Sequence, residues 1–234
     1  MTVRRFYCAN IDQASVELNA ADAAHARRVL RLSVGQTVEL FDGCGATATA
    51  TIVDMGKRLV VEPTERRFVE RPKPVIDVAA AVPKGARADV LVEKLSELGA
   101  DRLIPLLTDR TVVEPRQGKI DRFGRMAIES AKQCGRAWLM AIDEPTAFGD
   151  VLGAADHDVK LMADVQELQV GGSAGAMLKH AARVLVLIGP EGGWTDAERR
   201  AAQDAGCVSW RLGPHVLRVE TAAIAAVACL RQPT

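Results

Sequence analysis

Hydrophobic and polar positions divide the chain into two textures. Over residues 1–72 the apolar positions come in short, alternating runs. Residues 36–41 and 46–53 alternate and flank Asp42-Gly43-Cys44-Gly45, a glycine-bearing signal for a β-hairpin. Runs at 3–9, 16–18 and 58–61 predict further short strands. Helical spacing over 22–32, with Asp22 in a cap-like position and Ser33-Val34-Gly35 closing it, predicts one helix among them. These elements suit a small β-barrel carrying a helix.

Glu70-Arg71-Pro72-Lys73-Pro74 reads as a linker, because closely spaced prolines discourage helix and central strand alike. The expected domains are therefore 1–72 and 73–234. Beyond the linker the period changes. Near-continuous apolar runs at 75–82 and 183–188 predict buried strands, with further strands at 102–107, 159–163 and 208–212. Helices are predicted over 87–98, 120–134, 177–182, 195–205 and 220–230. Strands alternating with helices mean an α/β domain with a parallel sheet covered on both faces.

Composition narrows the class. Lys+Arg and Asp+Glu both number 30, so the formal net charge is zero, which excludes a protein that coats nucleic acid by charge alone. The longest apolar run, 222–230, is too short to span a bilayer, so no membrane partner is expected. The first residues reach Asp12 without an apolar core of signal-peptide type, which predicts a cytoplasmic location. The five cysteines (Cys8, Cys44, Cys134, Cys207, Cys229) form no CxxC pair, so neither a disulfide framework nor a metal site is expected.

Three motifs could carry chemistry. The strand at 183–188 runs into Gly189-Pro190-Glu191-Gly192-Gly193-Trp194, and Thr195 to Glu198 has capping-box spacing. A glycine-rich turn at the carboxyl end of a strand lets backbone approach a ligand, or it is only a tight turn. No dinucleotide fingerprint or P-loop is present, and Glu191 would repel phosphate, which favours a neutral or cationic ligand. Leu212-Gly213-Pro214-His215-Val216-Leu217 repeats the strand-to-glycine pattern ahead of a helix, with Arg218 and Glu220 either an ion pair or functional. Gln133-Cys134-Gly135-Arg136 ends a helix, where Arg136 either complements the dipole or faces an anion. In the first segment His25, Arg27, Arg28 and Arg31 cluster on the predicted helix near Arg4 and Arg5. That patch suits phosphates or is a solvated face.

Together these residues resemble the bacterial RsmE-type 16S ribosomal RNA methyltransferases of the SPOUT superfamily. The likeness runs from Arg4-Arg5-Phe6 and His25 to Arg31 through Phe41-Asp42-Gly43 and Lys94 to Gly99. It continues in Gln133 to Arg136 and Gly189 to Gly193, and ends in Leu217 to Ala222. It implies a PUA-like β-barrel, then a SPOUT α/β domain with a C-terminal trefoil knot. It also implies a homodimer that methylates ring nitrogen 3 of a uridine in 16S ribosomal RNA, using S-adenosylmethionine. Carried over, the cofactor residues are Met162 and Ala163; Leu187, Ile188, Gly189, Glu191, Gly192 and Gly193; and Leu212, Gly213, Val216, Leu217, Arg218, Thr221 and Ala222. Arg136, Arg218 and Glu220 become the catalytic candidates, and Arg4, Arg5, His25, Arg28 and Arg31 the RNA contacts. Val219 stands where the family usually has Thr, and Met140 near a usual Pro.

Two other classes compete: a small-molecule enzyme binding a nucleotide phosphate, disfavoured by Glu191, and a non-catalytic RNA-binding protein.

Overall fold

A computed structural model describes residues 3–56, 58–165 and 180–232. The chain forms two compact units, Met1–Arg71 with Ala131–Leu139, and Pro72–Ser130 with Met140–Thr234. A single cut after the linker does not describe this, because residues 131–139 return to the first unit.

The first unit contains strands β1 (Arg4–Tyr7), β2 (Val16–Leu18), β3 (Thr37–Phe41), β4 (Ala46–Asp54) and β5 (Leu59–Phe68), with helix α1 (Ala20–Arg28). The sheet order is β1-β3-β4-β5-β2. Pairing among the described residues stops at β1 and β2, so the ladder is not the closed ring that a barrel implies. Alternation places Val38, Leu40, Ala48, Ala50, Ile52, Leu59 and Val61 in one core, joined by Ala23 and Ala26 of α1.

Helix α1 is shorter than its pattern suggests. Asn19, not Asp22, is the N-cap: its side chain accepts from Asp22 N at 2.9 Å and donates to the Asp22 carboxylate at 2.8 Å. The helix ends at Arg28, and Arg31 adopts a left-handed φ of 52°. Arg27 and Arg31 therefore do not share a helix face.

Residues 131–139 dock onto the turn at 42–45. Leu139 N donates to Gly43 O at 2.9 Å and Gly45 N to Ala137 O at 3.2 Å. A Cβ on Gly43 would lie 2.6 Å from Leu139 Cδ1, so the glycine permits the close approach.

In the second unit the strands are β6 (Val75–Ala80), β7 (Arg102–Leu107), β8 (Ala141–Ile142), β9 (Thr146–Ala147), β10 (Val159–Ala163), β11 (Arg183–Ile188) and β12 (Val208–Trp210). The helices are α2 (Ala86–Leu98), α3 (Gln117–Cys134, which crosses between the units), α4 (Phe148–Ala154), α5 (Asp196–Asp204) and α6 (Val219–Leu230). The main sheet is parallel, in the order β12-β10-β11-β6-β7-β8.

Successive β11 side chains point to opposite faces. Val184 and Val186 join a core with Leu91, Leu95, Ala223 and Val227, while Leu185 and Leu187 join one with Phe148, Leu152 and Ala202. Burial on both faces is why β11 reads as an unbroken apolar run. The helix expected over 177–182 lies largely outside the described residues. No described helix is long and apolar enough to cross a membrane.

Candidate active site

β10 and β11 are adjacent, but β10 leads to β11 on one side while β11 leads to β12 on the other side of β10. Connections that diverge at neighbouring carboxyl ends leave a crevice there. The pocket lies in that crevice, lined by Ala163–Val165 after β10, by Ile188–Glu191, Gly193 and Trp194 after β11, and by Trp210–Gly213 and His215–Leu217 at β12. Val219 and Ala222 of α6 complete it.

The loop after β11 is built around Trp194. Its indole N–H donates to Ala163 O at 2.9 Å, and its ring centroid is 5.3 Å from that of Phe148. A Cβ on Gly189 would lie 2.8 Å from Trp194 Cε2, so glycine there makes room for the indole. Gly193, at φ 70°, closes the turn by donating to Pro190 O at 2.8 Å.

The loop ends in the expected capping box. Thr195 and Glu198 bond reciprocally, and Glu198 also accepts from Asp109 N at 3.0 Å. Arg110 ties in through Gly192 O at 2.7 Å.

Three carboxylates sit in or beside the pocket. Asp164 accepts from Arg199 Nε at 2.7 Å, and this bond pushes the Arg199 pKa above its ordinary value. Glu191 Oε1 lies 3.1 Å from Arg87 Nη2. Glu220 is buried in the first turn of α6; its Oε2 has no hydrogen-bond partner and lies 3.9 Å from Arg87 Nη1. Of the two readings of Arg218 and Glu220, the mutual ion pair is absent, and Arg87 faces Glu220 instead. Arg218 is instead the exposed N-cap of α6, two residues before its acid, and makes no side-chain cap bond.

Of the expected cofactor residues, the pocket gathers Ala163, Ile188, Gly189, Glu191, Gly193, Leu212, Gly213, Val216, Leu217 and Ala222. Met162 and Leu187 are not in its lining: alternation turns their side chains into the core beside Trp194. Gly192, Arg218 and Thr221 also lie outside the lining. Asp164, Val165, Trp194, Trp210 and Arg211 line the pocket outside the expected cofactor loops. Trp194 was legible beside the glycines. Arg211 Nε bonds Gly213 O at 3.1 Å, a fold-back that no local pattern announces.

Arg136 is half-buried in the first unit, and its carbonyl accepts from Arg5 Nη1 at 3.2 Å. Arg5 also bonds Ala131 O at 3.1 Å, pairs with Glu39 at 3.1 Å and stacks on Phe41. Its side chain is only 8% exposed, so the expectation that Arg5 contacts RNA is corrected: it braces the returning segment. Arg4, His25, Arg28 and Arg31 are exposed.

Residues 70–231 match the family model described as an RNA methyltransferase domain, and residues 18–63 match the RNA methyltransferase PUA domain. Ribosomal RNA small subunit methyltransferase E of Synechocystis is 35% identical over 224 residues, covering 93% of this chain and 73% of that protein. The chain belongs to the RsmE-type family of small-subunit ribosomal RNA methyltransferases.

Its Bacillus subtilis relative is 26% identical, with 93% of this chain and 90% of that protein covered. The fold agrees with an RsmE structure from Neisseria gonorrhoeae bound to S-adenosyl methionine, at TM-score 0.90 and 26% identity, covering 98% and 97% of the two chains. A putative methyltransferase from Legionella pneumophila in complex with SAM gives TM-score 0.88 and 29% identity, covering 99% and 98%. The RsmE-type fold therefore comprises a PUA-like first domain and an α/β methyltransferase domain.

Proposed function

We propose that the chain transfers a methyl group from S-adenosylmethionine to ring nitrogen 3 of one uridine in 16S ribosomal RNA, on the assembled small subunit. The observation that carries this reading is the cleft at the carboxyl ends of β10, β11 and β12, where glycine-bearing loops meet the carboxylate of Glu191. The apolar walls of Ile188, Trp210, Leu212 and Leu217 suit an adenosyl group, and Glu191 favours a cation over a phosphate. In this proposal the second unit forms a SPOUT catalytic domain with a trefoil knot, acting as a cytoplasmic homodimer. Residues 1–72 position RNA through Arg4, His25, Arg28 and Arg31.

When bound, S-adenosylmethionine supplies an electrophilic methyl group. In-line transfer then depends on alignment, which contributes roughly 7–11 kcal/mol in well-oriented systems. Ring nitrogen 3 must first lose its proton, and the unpartnered Glu220 Oε2 is the acceptor this reading assigns. Negative charge then spreads to the flanking uracil oxygens, where Arg136 or Arg218 stabilises it electrostatically. The new nitrogen–carbon bond forms as the sulfur–carbon bond breaks. S-adenosylhomocysteine leaves.

The test is incubation with methyl-labelled S-adenosylmethionine and small subunits lacking 3-methyluridine, beside naked 16S RNA. Label recovered as 3-methyluridine, with subunits preferred, is the expected result. Label in another nucleoside overturns the target. Absence of both label and donor binding overturns the catalytic reading.

A further inference from the structure

The first unit displays an aromatic group that the proposed chemistry does not use. Phe68, the last residue of β5, is 67% exposed and is the one ring among the exposed large hydrophobic side chains of the described residues. Its ring forms a T-shaped pair with Trp138, at 84° and with centroids 6.0 Å apart. Trp138 is fixed in turn, its indole N–H donating to Val69 O at 2.9 Å and the Arg71 guanidinium lying 5.2 Å from its ring centroid. Gly45 seats both rings. A Cβ there would lie 2.7 Å from Trp138 Cζ2 and 2.9 Å from Phe68 Cε2.

We propose that Phe68, held by Trp138, is a stacking site for an unpaired RNA base. A staple serving only to hold residues 131–139 would bury its ring, because apolar area left in water contributes nothing to packing. Here the tryptophan forms the staple and the phenyl ring faces outward. The T-shaped contact limits the ring's freedom, so little ordering entropy opposes binding. Stacking on an aromatic face suits single strands, whose bases are exposed, and not a duplex. The inference rests on the RNA-methyltransferase reading for its ligand class, but not on which nucleotide is modified.

The test measures binding of a short unstructured oligoribonucleotide, and of the same strand annealed to its complement, by the full chain and by Phe68→Ala, Phe68→Leu and Phe68→Trp. Alanine substitution at a stacking site typically weakens binding by about fivefold to a hundredfold. The expected result is a loss of at least about fivefold on the single strand for the Ala and Leu variants. Phe68→Trp should retain affinity, and the duplex should show no selective loss. Melting temperature and S-adenosylmethionine affinity should hold in all three variants. Equal losses on both RNAs, full affinity in Phe68→Leu, or no single-strand binding by the parent chain overturns the platform. Donor binding and methyl transfer by the parent chain report separately on the enzymatic reading.

Discussion

Arg87 Nη2 lies 3.1 Å from Glu191 Oε1, so a side chain of α2 holds the acid of the glycine-rich loop after β11. The same guanidinium faces Glu220 Oε2 at 3.9 Å. Arg87 thus joins the loop after β11 to the first turn of α6 and offsets the charge that would favour a sulfonium.

Removing that offset should alter ligand preference more than stability. Arg87 and Glu191 side chains are 35% and 42% exposed, and a pair so solvated contributes only about 0–1 kcal/mol. Arg87→Gln is therefore expected to leave the melting temperature nearly unchanged. Its preference for S-adenosylmethionine over the neutral S-adenosylhomocysteine should rise about threefold at low ionic strength, and the gain should shrink as salt screens it. Arg87→Lys should restore the original ratio. Calorimetric titration with both ligands checks this, and parallel changes in the two affinities would refute the electrostatic account.

Gly189→Ala should act sterically. Its Cβ would enter the space of Trp194, whose indole braces the end of β10. Forcing an extra carbon into packed surroundings costs about 1–3 kcal/mol. Both melting temperature and donor affinity should fall, and near-ultraviolet circular dichroism should register the displaced indole. An unchanged tryptophan signal with intact donor affinity would contradict this.

The legible parts were those whose signal is local. The apolar run of β11, the glycines after it and the Thr195–Glu198 box lie within sixteen consecutive residues, and the crevice follows from them. α4 was invisible because Phe-Gly-Asp-Val-Leu-Gly-Ala spans only two turns with two glycines, and its stability comes from burying Phe148, Val151 and Leu152. β5 continues past Val61 into an exposed polar stretch, Glu62 to Arg67, held by pairing with β4 and lacking an apolar alternation. Arg87 looked like an ordinary residue at a helix start. Its partners are about 100 and 130 positions away, a separation that no periodicity encodes. Arg5 misled for the same reason: an arginine near other arginines reads as a basic patch until its carbonyl partners in residues 131–136 are known.

That reassignment separates Arg5 from its neighbours experimentally. Arg28→Ala and Arg31→Ala should each weaken RNA binding and reduce the salt slope by about 1, as expected when one phosphate contact is lost. Arg5→Ala should instead lower the melting temperature, because charge-assisted hydrogen bonds of this kind contribute about 1.5–3 kcal/mol each. Its salt slope should stay near that of the parent chain. A slope loss in Arg5→Ala without destabilisation would restore its role as a phosphate contact.

A last prediction concerns the opposite, amino-terminal end of the parallel sheet. Asp77 accepts from His157 Nε2 at 2.9 Å and from Arg183 Nη2 at 3.2 Å, with Arg102 Nε at 3.9 Å. Burial alone would raise the Asp77 pKa, but the His157 bond and the two guanidinium charges outweigh it and hold the carboxyl below its ordinary 3.8. A carboxyl whose folded pKa is depressed stabilises the fold above the unfolded value, and that contribution is lost as pH falls through the folded one. Asp77→Asn should therefore be destabilised by about 1–3 kcal/mol at neutral pH, the cost of leaving buried donors poorly matched. The difference from the parent chain should begin to narrow once the pH drops below about 4, where the unfolded carboxyl takes up its proton. It should shrink further as the pH falls through the lower folded value. Urea unfolding at neutral and acidic pH measures both values. A stability gap that persists unchanged into acid would mean that Asp77 acts by shape and not by charge.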